Sequence, residues 1–147
     1  MIDGKYALTY HELEDLIDLV TEEIDNSGFQ PEIIVGVARG GLVPAVALSH
    51  YYDADLVPVH VSFYHEAYRI QKLVSINDDV SSGTKILVVD DINDSGRTFS
   101  VIRSMIGDHG NVKYASLFVR HSSRFNSDFS GQTLQDDRWI VFPWEVC

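Results

Sequence analysis

Residues 10 to 27, "YHELEDLIDLVTEEIDNS", place Leu13, Leu16, Ile17, Val20 and Ile24 at helical spacing, with acids on the opposite face. Gly28 stands where a helix C-cap belongs, and Pro31 blocks continuation of the helix. Ile33 to Val37 then reads as a short buried strand. The next segment, "LVPAVALSHYY" over 42–52, is apolar nearly all round and predicts a buried helix. "LVPVHVSFY" over 56–64 is rich in β-branched and aromatic residues and predicts a strand.

Residues 65–84 are less regular. They predict one short strand or hairpin around Gln71 to Ile76, ending in a Ser/Gly turn. The clearest strand covers 85–90, where Ile86 to Val89 are four consecutive aliphatics. A helix follows from 97 to about 109, with Phe99, Ile102 and Ile106 on its inner side. "VKYASLFVR" over 112–120 predicts another strand, 121–137 a polar loop, and "RWIVFPWEVC" an extended, aromatic end. Helices alternating with short buried strands predict an α/β fold around a mainly parallel sheet, as one domain over 1–147.

Charge and composition change this picture in few places. The formal net charge of −11 opposes nucleic acid at long range, so no nucleic-acid partner is expected. A small phosphorylated ligand stays compatible, because backbone amides and a metal ion can build a positive pocket inside a negative envelope. The plain alternative is that the acids only keep the protein soluble. No apolar run approaches the roughly 20 residues that cross a bilayer, and the first residues lack a secretion-signal pattern. The one cysteine, Cys147, offers neither a disulfide framework nor a thiolate metal site. A cytoplasmic location is expected. The six histidines share no metal-ligand spacing.

Two strand ends carry candidate chemistry, in the place where open α/β sheets bind ligands. At the first, "VGVARGGLVPA", Gly40 and Gly41 let the backbone turn its amides outward, and Arg39 adds a permanently charged, forked donor. That loop suits a pyrophosphate, although a Gly-Gly turn is often only a turn. At the second, "KILVVDDINDSGRTF", Asp90 and Asp91 are suited to accept from two ribose hydroxyls and to help hold Mg²⁺. The amides and hydroxyls of Asp94, Ser95, Gly96, Arg97 and Thr98 then open a helix, a ready site for an anion. Sugar hydroxyls first and phosphate second is the order of a ribose 5-phosphate.

"ILVVDDINDSGRTF" resembles the phosphoribosyl pyrophosphate signature of the type I phosphoribosyltransferases. "VGVARGGLVPA" resembles their pyrophosphate loop. "RWIVFPWE" is similar to the purine-covering hood of the bacterial xanthine-guanine enzymes and their archaeal and phage-type relatives. The resemblance spans roughly residues 30–145. It implies a three-layer fold, with helices flanking the sheet and a small C-terminal hood over about 121–147, and a flexible lid near 65–84.

The resemblance also implies roles. Asp90 and Asp91 bind the ribose hydroxyls, with Asp91 nearest the Mg²⁺. Asp94 faces the purine N7 as general acid/base, and Asp94 to Thr98 cradle the 5′-phosphate. Ala38 to Gly41 hold the pyrophosphate, with a non-proline cis peptide before Arg39. Arg120 stands where this group carries a Lys that bonds the purine 6-oxo group, a different donor geometry. Trp139 stacks on the purine while the Ile140 backbone reads its edge. The implied substrates are phosphoribosyl pyrophosphate and a 6-oxopurine, and the implied assembly is a homodimer or homotetramer.

Other readings stand beside these. "VVDD" also occurs in phosphoacceptor receiver domains, but there the acid pair closes the first strand, not one at residue 90. Trp139 and Trp144, with Pro143 beside the latter, also read as plain core or interface residues when taken without the upstream motifs. Glu145 is either a second-shell metal carboxylate or a surface acid. The fold also serves non-catalytic nucleotide- or alarmone-binding regulators, whose usual marks are a missing catalytic acid or an added DNA-binding domain.

Overall fold

A computed structural model describes residues 4–64, 67–71 and 77–145. Its elements are β1 (Lys5–Ala7), α1 (Tyr10–Ser27), β2 (Ile33–Ala38), α2 (Leu42–Tyr52), β3 (Asp55–Tyr64), β4 (Ala67–Gln71), α3 (Asn77–Ser82), β5 (Ile86–Asn93), α4 (Arg97–Ile106), β6 (Val112–Arg120), β7 (Phe129–Leu134) and β8 (Trp139–Val141). A 3₁₀ turn spans Pro143–Glu145.

Six strands form the central sheet in the order β4-β3-β2-β5-β6-β7. All neighbours run parallel except β4, which returns antiparallel along β3 at one edge. Alternation along β5 divides the core in two. Leu87 and Val89 join Leu13, Leu16, Val20, Ile24, Ala45 and Leu48 of α1 and α2 on one face. Ile86 and Val88 join Val80, Phe99, Ile102 and Ile106 of α3 and α4 on the other. The predicted three-layer α/β fold is therefore present. Its geometry brings the carboxyl ends of β2, β5 and β6 side by side at one edge.

The helix starting at Tyr10 is stopped as its sequence requires. Thr9 and Glu12 form a reciprocal capping box at its start, and Gly28 closes it in the left-handed conformation, φ 79°.

Several expectations need correction. The expected polar loop at 121–137 contains β7, with Phe125, Phe129 and Leu134 buried. "FSGQTL" does not alternate, and its strand form comes from pairing with β6. The irregular 65–84 region holds a strand earlier than expected, at 67–71, and a helix at 77–82; residues 72–76 of the expected hairpin lie outside the described residues. Val80 of that helix is buried, and Asn111 Nδ2 donates to the carbonyls of Val80 and Thr84. The C-terminal part of the expected lid is thus packed onto the domain.

Helix α2 is less buried than its composition predicts: Pro44, Ala45 and Leu48 face the core, whereas Val43, Val46 and Tyr51 are exposed. The helix after Gly96 ends at Ile106, capped by Gly107, short of residue 109. Strand β1 has no counterpart in the sequence reading. It pairs parallel with β8 in a small separate sheet, Tyr6 opposite Ile140, so residues 5–7 hold the hood strand.

Candidate active site

The site is built where β2 and β5 end together. Strand β2 runs Ile33 to Ala38 beside Ile86 to Val89, so the loop Arg39-Gly40-Gly41 emerges next to Asp90 and Asp91. The Ala38–Arg39 peptide bond is cis. A Cβ on Gly41 would lie 2.5 Å from the Val37 carbonyl oxygen, 2.7 Å from that of Val89 and 2.9 Å from Asp90 Cα, all backbone atoms. One on Gly40 would collide with the Asp91 carboxylate and approach the Trp144 ring. The two glycines are therefore required by close approach, and the loop rests directly on the acid pair.

Gly41→Ala should accordingly force β2 and β5 apart. The expected cost is about 1–3 kcal/mol of stability, from overpacking against atoms that cannot rotate away. An unchanged urea midpoint would show that the loop does not lie against β5.

Continuing the alternation of β5, Asp90 follows Val88 toward α4 and Asp91 follows Val89 toward α2. The Asp91 amide donates to Asp90 Oδ1 at 2.8 Å, and the Ile92 amide donates to Asp91 Oδ1 at 2.8 Å. Burial pushes the Asp90 carboxyl well above the usual carboxylate range, and the neighbouring Asp91 charge adds to it. Burial also raises Asp91, against a hydrogen bond with the Asp90 carboxyl and the amide bonds, all of which favour its charged form. Two adjacent acids whose charged forms burial disfavours suit a cation or hydroxyl donors.

Beyond them, Asp90 through Phe99 line a cleft of ≈ 240 Å³. Asp94 to Thr98 form its far wall, where α4 starts after its N-cap Gly96, φ 91°, which has no side chain to cap the helix. Ser95 Oγ accepts from the Arg97 amide at 3.2 Å. The Arg97 guanidinium lies 4.0 Å from the centroid of Phe63, linking this turn to β3.

A brace beneath the turn escaped the sequence reading. Buried Asn93 donates from Nδ2 to the Phe125 carbonyl at 2.8 Å and to Ser127 Oγ at 2.9 Å, and its Oδ1 accepts from Ser123 Oγ at 2.8 Å. The Arg124 amide donates to the Ser95 carbonyl at 3.0 Å. The available signal was an amide side chain inside a strand end, between Ile92 and Asp94, facing a Ser/Asn-rich segment.

Arg120, at the end of β6, is 7% exposed, and its Nε donates to Asp94 Oδ1 at 3.0 Å. Its Nη1 donates to the Asp136 and Arg138 carbonyls at 2.7 and 3.0 Å. The resemblance sets Arg120 at the position of a purine-bonding Lys; in the ligand-free chain it engages Asp94 and the loop preceding Trp139. Trp139 is 60% exposed, so it is not a core aromatic, whereas Ile140 is buried. Trp144 stacks on Phe142, ring centroids 4.7 Å apart, beside the glycine loop. Glu145 is exposed on the closing 3₁₀ turn.

Fold and site together define a phosphoribosyl transferase domain. The sequence matches that domain family over residues 8–147, and the chain belongs to it. It is 31% identical over 119 residues to xanthine-guanine phosphoribosyltransferase of Cereibacter sphaeroides (strain ATCC 17025 / ATH 2.4.3), covering 77% of this chain and 68% of that protein. Among solved structures it is similar to a purine phosphoribosyltransferase from Pyrococcus horikoshii Ot3: TM-score 0.80, 30% identity, 98% of this chain and 96% of that one. Helicobacter pylori xanthine-guanine-hypoxanthine phosphoribosyltransferase superposes with a TM-score of 0.79 at 29% identity, over 97% and 94% of the two chains.

Proposed function

We propose that this protein transfers the 5-phosphoribosyl group from phosphoribosyl pyrophosphate to N9 of a 6-oxopurine, releasing pyrophosphate and a nucleoside 5′-monophosphate. The carrying observation is the contact between the two strand ends: Gly40 lies against the Asp91 carboxylate, so the loop read here as holding pyrophosphate adjoins the acids read as holding the ribose. The purine part rests on the names of the relatives and on exposed Trp139, a flat surface for a base.

In this reading the amides from Asp94 to Thr98 hold the 5′-phosphate at the start of α4. Asp90 and Asp91 accept from the ribose hydroxyls. Arg39 and the amides of Gly40 and Gly41 neutralise the leaving group. The N9–C1′ bond forms as the C1′–O bond breaks, and the electron pair leaves with pyrophosphate. Asp94 manages the proton of the base through N7.

The donor set fits Mg²⁺. Among the described residues no group of three or more His, Cys, Asp or Glu could hold a metal ion, but Asp90 and Asp91 supply a pair of hard oxygen ligands. Magnesium is commonly held by one or two carboxylates plus substrate phosphates. Asp91 is the residue assigned to it, and when bound it would supply positive charge against the diphosphate.

Among the described residues no helix is long and apolar enough to cross a membrane, and a cytoplasmic location is proposed. A homodimer or homotetramer is proposed as well, with Val43, Val46 and Tyr51 of α2 as apolar surface for it to cover.

Purified protein with Mg²⁺ and phosphoribosyl pyrophosphate should convert guanine, xanthine or hypoxanthine to the 5′-monophosphate, read by chromatography. If all three stay inert while a nucleotide still binds, the non-catalytic regulator is the correct reading.

A further inference from the structure

Arg120 joins two parts of the site that the chain keeps apart. One nitrogen of its guanidinium holds Asp94 at 3.0 Å. A second holds the carbonyls of Asp136 and Arg138 at 2.7 and 3.0 Å, in the residues that lead into β8 and Trp139. Strand β8 belongs to the two-stranded sheet with β1, not to the sheet carrying Asp94. Asp136 is itself fixed by Arg138, whose Nε and Nη2 lie 2.9–3.0 Å from its carboxylate. Asp94, 57% exposed, has Arg120 as its ion-pair partner among the described residues.

We propose that Arg120 is a positioning residue that couples the hood to the acid/base: it sets Asp94 and the 136–138 loop from one rigid fork, so that the two move together. This rests on the transfer reaction proposed above. The chemistry favours Arg over Lys because the two tasks fall on separate nitrogens of one plane. An ammonium puts all three of its donors on one nitrogen at the end of a flexible stem and cannot hold that spacing. The carbonyls of 136 and 138, facing a nearly buried cation, would otherwise lose a charge-assisted partner. A residue serving only to bond a purine oxygen would not need these anchors in the ligand-free protein.

The test compares Arg120→Lys and Asp94→Asn with the wild-type full chain, without ligands, by hydrogen–deuterium exchange over residues 135–141. Arg120→Lys should accelerate exchange there about tenfold, since charge-assisted bonds of this kind restrain local opening. Asp94→Asn, on an exposed side chain that does not threaten folding, should accelerate it by less. In turnover, Arg120→Lys should lower kcat with little change in the KM for phosphoribosyl pyrophosphate. The kcat losses of the two single variants should also be clearly non-additive in the double variant. Unchanged hood exchange in Arg120→Lys, wild-type kcat in that variant, or additive losses would each overturn the coupling. If the wild-type protein turns over no purine at all, the transfer reaction is wrong, and the exchange measurement alone still decides whether Arg120 couples the hood to Asp94.

Discussion

Asp94→Asn is expected to reduce kcat about 10²–10⁴-fold, the usual loss on removing a positioned general acid/base. The affinity for phosphoribosyl pyrophosphate should stay close to wild type. The separation follows from where Asp94 sits. Its side chain is 57% exposed and is held by Arg120 at 3.0 Å. Its amide belongs to the phosphate turn, and an Asn backbone donates equally well there. An asparagine oxygen also still accepts from Arg120 Nε, so the geometry survives while proton transfer is lost. Titration calorimetry with the sugar donor, alongside steady-state kinetics, separates the two effects. A wild-type kcat would remove Asp94 from the chemistry, and a matching loss of donor affinity would mean that it serves the phosphate cradle instead.

The sequence revealed those parts of the molecule whose cause is local. The α1 stripe, the Gly28 cap and the aliphatic run of β5 each announce themselves within one window, and each is present. The acid pair, the glycine loop and the turn before α4 were legible for the same reason: short spacings carry them, and a parallel sheet brings strand ends together. What escaped depends on distant partners. Strand β7 has no period of its own and exists because β6 lies beside it. Strand β1 is three residues long and needs β8, more than a hundred positions away. Asn93 meets Phe125, Ser127 and Ser123 at separations of 30 to 34 residues. Arg120 meets Asp94 across 26 positions. Its register on β6 was readable, but its partners were not. The extent of burial misled in the opposite direction at α2, whose composition says nothing about which neighbour covers each side.

Asp90→Asn should make the ligand-free protein more stable and much less able to bind its sugar donor. In the folded chain Asp90 and Asp91 sit at the end of a buried strand, and burial raises both carboxyls, Asp90 well above its usual range. An acid whose folded pKa exceeds its unfolded value binds more protons in the native state. Its contribution to stability is therefore complete below the unfolded pKa, near 4, and is lost as pH rises through the folded value. At neutral pH the pair is a liability without a ligand. Asparagine removes one of the two like charges and keeps the oxygen that accepts from the Asp91 amide. The melting temperature at pH 7 should rise by about 2–4 °C for each kcal/mol recovered, and the loss of stability as pH rises above about 4 should flatten. Phosphoribosyl pyrophosphate with Mg²⁺ should stabilise the wild-type protein by mass action, about 2.7 kcal/mol at one hundred times the dissociation constant, and the variant far less. A lower melting temperature in the variant would mean that Asp90 is held by partners that favour its charge. Equal stabilisation of both proteins by the donor would place the ribose elsewhere than on the carboxyl end of β5.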